Sequence, residues 1–156
     1  MYHKKNDIEI HHISDKQAHI KTVAKWMHEE WGTKDNFGFF YSIVSHSLDK
    51  KALPQTFIAL DDKRPVATIG IWRCDMVSRQ DLSPWISALY VVPDYRGKGI
   101  GKLLQEHATA YSKQLGFSEI YLYSDIKNYY EKSGWTLIDR GITYSGAYDQ
   151  IYRKTL

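Results

Sequence analysis

The chain has 156 residues, enough for one domain with a sizeable core and too few for a second catalytic domain. Hydrophobic residues at 43% and charged residues at 25% exclude a disordered or low-complexity chain. A net charge of +3 with no continuous basic run argues against nucleic acid as a partner, and no segment reaches the roughly 20 apolar residues that a membrane span requires.

The polar start, residues 1–7, lacks the character of a signal peptide, and the single cysteine, Cys74, allows no intrachain disulfide, so a cytoplasmic protein is expected. Ile8, Ile10 and His12 alternate with Glu9, His11 and Ile13, which predicts a short strand. Ser14-x-x-Gln17 has the form of a capping box, and Ile20, Val23, Ala24, Met27 and Trp31 follow at helical spacing up to Gly32. A second helix is expected over residues 39–48. Residues 56–60 and 66–72 read as strands joined by the polar turn Asp61-Asp62-Lys63-Arg64, with Pro65 marking the earliest start of the second. Residues 75–85 form a polar connection longer than a hairpin needs, the kind of loop that carries binding groups beside a sheet.

An apolar strand over residues 86–92 ends at Pro93, and Leu103, Leu104, His107, Ala108 and Tyr111 recur at helical spacing until Gly116. A strand over 120–123, a short helix over 127–133 capped by Gly134, and two strands over 136–142 and 147–153 complete the chain. The order contains one β-α-β crossover in a mostly antiparallel setting. The expected fold class is therefore α/β, a single domain over residues 1–156 with a mixed, mostly antiparallel central sheet flanked by helices.

Between the central strand and its helix stands Arg96-Gly97-Lys98-Gly99-Ile100-Gly101-Lys102. Unpaired amides at a helix N-terminus, the helix dipole and side-chain-free glycines together make an anion site, to which Arg96, Lys98 and Lys102 add charge. A dinucleotide fingerprint fails here because Lys102 or Leu104 stands where its last glycine belongs, and a P-loop fails because Gly99 follows Gly97-Lys98 in place of Ser or Thr. His28-Glu29-Glu30-Trp31-Gly32 misses the zinc protease motif by its last residue, and His11 and His12 point to opposite strand faces, so no metal is expected.

Arg96-x-x-Gly99-x-Gly101 after a strand resembles the acyl-coenzyme A pyrophosphate loop of the GCN5-related N-acetyltransferase (GNAT) family. Tyr130-Glu131-Lys132-Ser133-Gly134-Trp135 looks like the family's Tyr-Glu-Lys-x-Gly-Phe signature with Trp in the last place. The resemblance implies acetyl-CoA as cofactor, held by Arg96, Gly97, Lys98, Gly99, Ile100, Gly101 and Lys102 at the pyrophosphate and by Leu89, Tyr90, Val91 and Asn128 along the pantetheine. It further implies direct attack of an uncharged amine on the thioester, a backbone amide near Val91 facing the carbonyl oxygen, and Tyr130, or its neighbour Tyr129, as the acid for the leaving thiolate. The acceptor is a small-molecule or peptide amine.

The base is open: some members of the family place a glutamate on the central strand, but counting back from Arg96 that position falls on or near Trp85, and no carboxylate lies between Ile86 and Val92. Water, Glu29, Glu30, Asp75 or Asp81 remain for that task. Glu30, Trp31, Asp75, Asp81 and Trp85 are candidates for the acceptor side. The missing strand glutamate also leaves room for a non-catalytic acyl-CoA sensor or interaction module, and the C-terminal strands for pairing in a homodimer.

Overall fold

The computed structural model describes residues 7–156, so all but the last residue of the polar start read above lies outside the described residues. Seven strands form one sheet in the order β1-β2-β3-β4-β5-β7-β6: β1 (Ile8–His12), β2 (Gln55–Asp61), β3 (Arg64–Trp72), β4 (Trp85–Val91), β5 (Glu119–Ser124), β6 (Thr136–Ile142) and β7 (Tyr148–Thr155). Every neighbouring pair is antiparallel except β4 and β5, which the helix α3 (Ile100–Gln114) connects. This is the expected α/β architecture, with β7 inserted between β5 and β6, so that β6 is the outer strand at that edge.

Side-chain alternation assigns the layers. Phe57 and Ala59 of β2 pack with Leu104 and Ala108 of α3, whereas Ile58 and Leu60 pack with Val23 and Met27 of α1 (Ile20–Trp31) and Val44 of α2 (Phe37–Ser45). A third cluster, Met76, Trp85, Tyr121 and Ile151, also covers the face away from α3, since Ile86, Ile120 and Tyr152 alternate with its members into the α3 layer. Thus α3 covers one face. On the other, α1 and α2 cover one half of the sheet and the β3–β4 connection covers the other half.

Several local expectations are corrected. Pro65 lies inside β3, opposite Leu60, beside a register shift at which β3 carries one extra residue, Val66, the kind of irregularity where a strand tolerates proline. The hairpin tightens to Asp62-Lys63, with Asp62 left-handed at φ 53°. The capping box does not form: Ser14 sits within a short 3-10 turn and pairs its hydroxyl with His12 Nδ1, and α1 begins only at Ile20. The second helix starts at Phe37 and stops at Ser45. The short helix before Gly134 is a single 3-10 turn, Tyr130–Ser133, ended as expected by the left-handed glycine at φ 86°.

The decisive irregularity is in β4. Gly70 pairs with Ser87 but Thr68 pairs with Tyr90, so β4 carries one extra residue, and Ala88 adopts φ 51°. On its other side β4 meets β5 at one position only, Trp85 opposite Tyr121. Beyond that pair the two strands separate.

Gly32 closes α1 by close approach, not by a left-handed turn: its φ is −85°, and a Cβ added there would lie 2.4 Å from the His28 carbonyl oxygen that its own amide caps. Gly32→Ala is expected to lower stability by about 2 kcal/mol, read as a drop of several degrees in the thermal midpoint; an unchanged midpoint would show that the end of α1 shifts freely.

Candidate active site

The separation of β4 and β5 opens a cavity of about 690 Å³ that passes through the sheet. On the α3 face its walls are Leu89, Gln105, Leu122 and Tyr130. On the opposite face they are Trp72, Asp75, Ser87, Ala88 and Tyr123, with Glu30, Trp31 and Phe39 reaching in from α1 and α2. The β4 bulge produces this division: Ala88 packs toward α1 and α2, while Leu89 and Val91 pack toward α3. Ser124, Asp125 and Ile126 at the end of β5 complete the lining.

The glycine loop enters α3 from the same α3 face. Gly97 and Gly99 are left-handed at φ 74° and 82°, and a Cβ at either would meet nothing within 4 Å. No side chain caps the helix, so its first amides remain available above an open surface. This backbone fits an anionic phosphate. Arg96 is partly engaged in building the loop, with Nε donating to the Val91 carbonyl at 2.8 Å and the guanidinium 5.6 Å from the Tyr90 ring centre. The Lys98 ammonium lies 4.8 Å from the Tyr95 ring centre. Lys102 lines a second cavity of about 290 Å³ with Lys132, Trp135 and Lys154, and Lys154 Nζ donates to the Ser133 carbonyl at 2.8 Å.

Asp75 is the electrostatic anomaly of the site. Burial pushes its carboxyl up to about 7, an effect that the adjacent Ser87 hydroxyl moderates. It has no ion-pair partner among the described residues, and Ser87 Oγ, itself buried, forms no hydrogen bond of ordinary geometry. Tyr123 is pushed up to about 12 by burial and by the nearby Asp75. Burial also raises Tyr130, a shift that the Ser124 hydroxyl lowers and Tyr129 and Asp125 add to, so its phenol is protonated at neutral pH.

The structure gathers some sequence candidates and disperses others. Leu89, Tyr130, Glu30, Trp31 and Asp75 line the main cavity; Tyr129 is 51% exposed outside that lining. Tyr90 packs its ring against Trp26 at 5.5 Å, and Asn128 is an exposed left-handed turn residue at φ 59°. Asp81 lies away from the cavity, paired with Arg79 at 3.0 Å, and Trp85 is fully buried in the third cluster with Nε1 donating to the Leu82 carbonyl. Glu29 faces Lys25 along the outside of α1. Sequence reasoning missed Ser87, Gln105, Trp72, Lys132 and Lys154. Of these only Gln105 carried a readable signal, a buried amide beside Leu104 on the apolar stripe of α3.

The fold has many counterparts among solved structures. An acetyltransferase from Streptococcus agalactiae superposes with a TM-score of 0.69 at 20% identity, covering 97% of this chain and 99% of that one. An aminoglycoside 6'-N-acetyltransferase complexed with coenzyme A gives 0.71 at 15% identity over 94% and 96%. The NatC complex bound to Gag peptide and CoA gives 0.71 at 19% over 96% and 99%. No curated protein matches the sequence. The profile of the acetyltransferase (GNAT) family matches residues 20–135, which span both the glycine loop and the Tyr130 turn, and the chain belongs to that family, whose members use acetyl-CoA.

Proposed function

We propose that this protein is an acetyl-CoA-dependent N-acetyltransferase that moves an acetyl group to a primary amine. One observation carries the reading: Leu89, which lines the cavity on the α3 face, lies beside Gly101 of the glycine loop, and the same cavity has an acidic and aromatic wall on the other face, so cofactor and acceptor have separate approaches to one gap. When bound, acetyl-CoA supplies an activated acyl carbon and a sulfur leaving group. The loop amides from Gly97 to Lys102 hold the pyrophosphate, and the lysines around the second cavity add charge for the anionic end. Leu89 borders the pantetheine arm, and β4 backbone groups released from β5 are free to donate to the thioester oxygen.

Asp75, titrating near neutrality, takes a proton from the acceptor's ammonium and frees its lone pair for direct attack on the thioester. Tyr130, protonated and facing the cavity, gives a proton to the departing sulfur. Burial of Asp75 thus provides what the missing strand glutamate would provide, and this favours an enzyme over a sensor.

Acetyl-CoA at about 100 times its dissociation constant is expected to add about 2.7 kcal/mol, a thermal shift of roughly 5 to 10 °C, with no comparable shift from ATP or NAD and none in Gly99→Glu. A larger shift with ATP or NAD would refute the loop assignment. Tyr130→Phe is expected to keep that shift while losing about 100-fold in turnover, followed as thiol release with an amine; normal turnover would refute the acid, and thiol release with any amine rules out a sensor.

Asp75 titrates at about 7 when folded against 3.8 in its ordinary state, so the folded chain binds an extra proton between those values. The resulting stabilisation is complete below 3.8 and is lost as pH rises through 7. Asp75→Asn, which cannot ionise, is expected to unfold about 5 °C higher than the parent at pH near 8 while losing acyl transfer. A variant no more stable than the parent at that pH would show that the carboxylate is not strained by burial.

A further inference from the structure

Among the described residues, the walls of the main cavity carry three carboxylates, Glu30, Asp75 and Asp125, and no lysine, arginine or histidine, although the chain as a whole has a net charge of +3. Asp75 is half-buried on the face away from α3, and Glu30 is exposed at the end of α1, on the same side of the sheet. Trp31, 48% exposed, and Phe39, 60% exposed, add aromatic faces to the rim beside Glu30. Ser87 Oγ is buried against Asp75, lines the cavity and has no hydrogen-bond partner of ordinary geometry, an unmet polar atom inside the acidic wall.

We infer that the acceptor is a small dicationic amine, one in which a second ammonium group accompanies the amine to be acetylated. The inference rests on the acyl-transfer reading and narrows its substrate. The reacting amine occupies the Asp75 and Ser87 end, where a buried carboxylate without a cation attracts an ammonium and receives its proton, and where Ser87 finds an N–H to accept. The distal ammonium remains charged at the rim, held by Glu30 and by the faces of Trp31 and Phe39, to which a cation is drawn by the ring quadrupole. A zwitterionic amino acid fits this wall poorly, because its carboxylate would stand among three carboxyl groups with no cation among the described lining residues to receive it. A monoamine loses the rim contacts altogether.

Calorimetric binding of diaminopentane and aminopentane to the whole protein tests the inference without requiring turnover. The diamine is expected to bind at least 10-fold more tightly at low salt, with the advantage reduced several-fold in Glu30→Gln and by high salt, and retained in Glu29→Gln, whose carboxylate faces Lys25 outside the cavity. Equal binding of the two probes, or an advantage that survives Glu30→Gln, overturns the inference. Acetyl-CoA binding measured on the same samples scores the acyl-transfer reading separately. A diamine preference in a protein that binds no acetyl-CoA removes the reaction and leaves the dication site, while acetyl-CoA binding without the preference removes the site and leaves the reaction.

Discussion

The place where β4 stops pairing with β5 governs the rest of the molecule. A parallel pair joined by a crossover helix normally continues its ladder, and buried backbone groups left without partners cost on the order of 1 to 3 kcal/mol each. Here the ladder is confined to Trp85 opposite Tyr121, both held in a cluster with Met76 and Ile151, and the bulge at Ser87 and Ala88 turns β4 away immediately afterwards. The strands are therefore anchored firmly at one end and released at the other. Because the release occurs at the centre of a seven-stranded sheet, the released backbone faces a sheltered gap, where its donors can meet a ligand.

Charge is sorted across that gap. Lysines 98, 102, 132 and 154 gather around the loop and the adjacent second cavity, whose lining also holds Glu106, while Glu30, Asp75 and Asp125 stand in the main cavity. A near-neutral net charge thus conceals two local fields of opposite sign. Asp75 is costly to the fold as an anion, and a carboxyl raised toward 7 by burial is also suited to exchange protons at physiological pH. The same desolvation produces both properties.

The loop, the crossover and the order of elements along the chain were legible because each depends on local chemistry: glycines where the backbone turns left-handed, a proline after an apolar strand, and apolar residues at helical spacing. The role of each carboxylate was not. Asp75 and Asp81 lie in one polar connection and look alike in sequence, yet Arg79 binds Asp81 and reaches Asp139 of β6, while Asp75 is drawn inward beside Ser87. That choice depends on a contact spanning some sixty residues, which no local pattern encodes. Trp31 and Trp85 diverge for a similar reason, one left on a helix end and the other enclosed by Met76, Tyr121 and Ile151. At the expected capping box, the Ser14 hydroxyl pairs with His12, two residues earlier, and the helix starts only at Ile20.

A passage through a sheet has two mouths, and their walls come from different parts of the chain. The rim at Trp31 and Phe39 belongs to the first two helices, whereas the glycine nest belongs to the central crossover. Substitutions at the first mouth leave the second untouched, since sites without shared partners contribute independently. In evolutionary terms the two specificities are separable characters. A lineage carrying this fold can remodel the rim on α1 and α2 by drift while the glycine nest of the crossover is inherited unchanged.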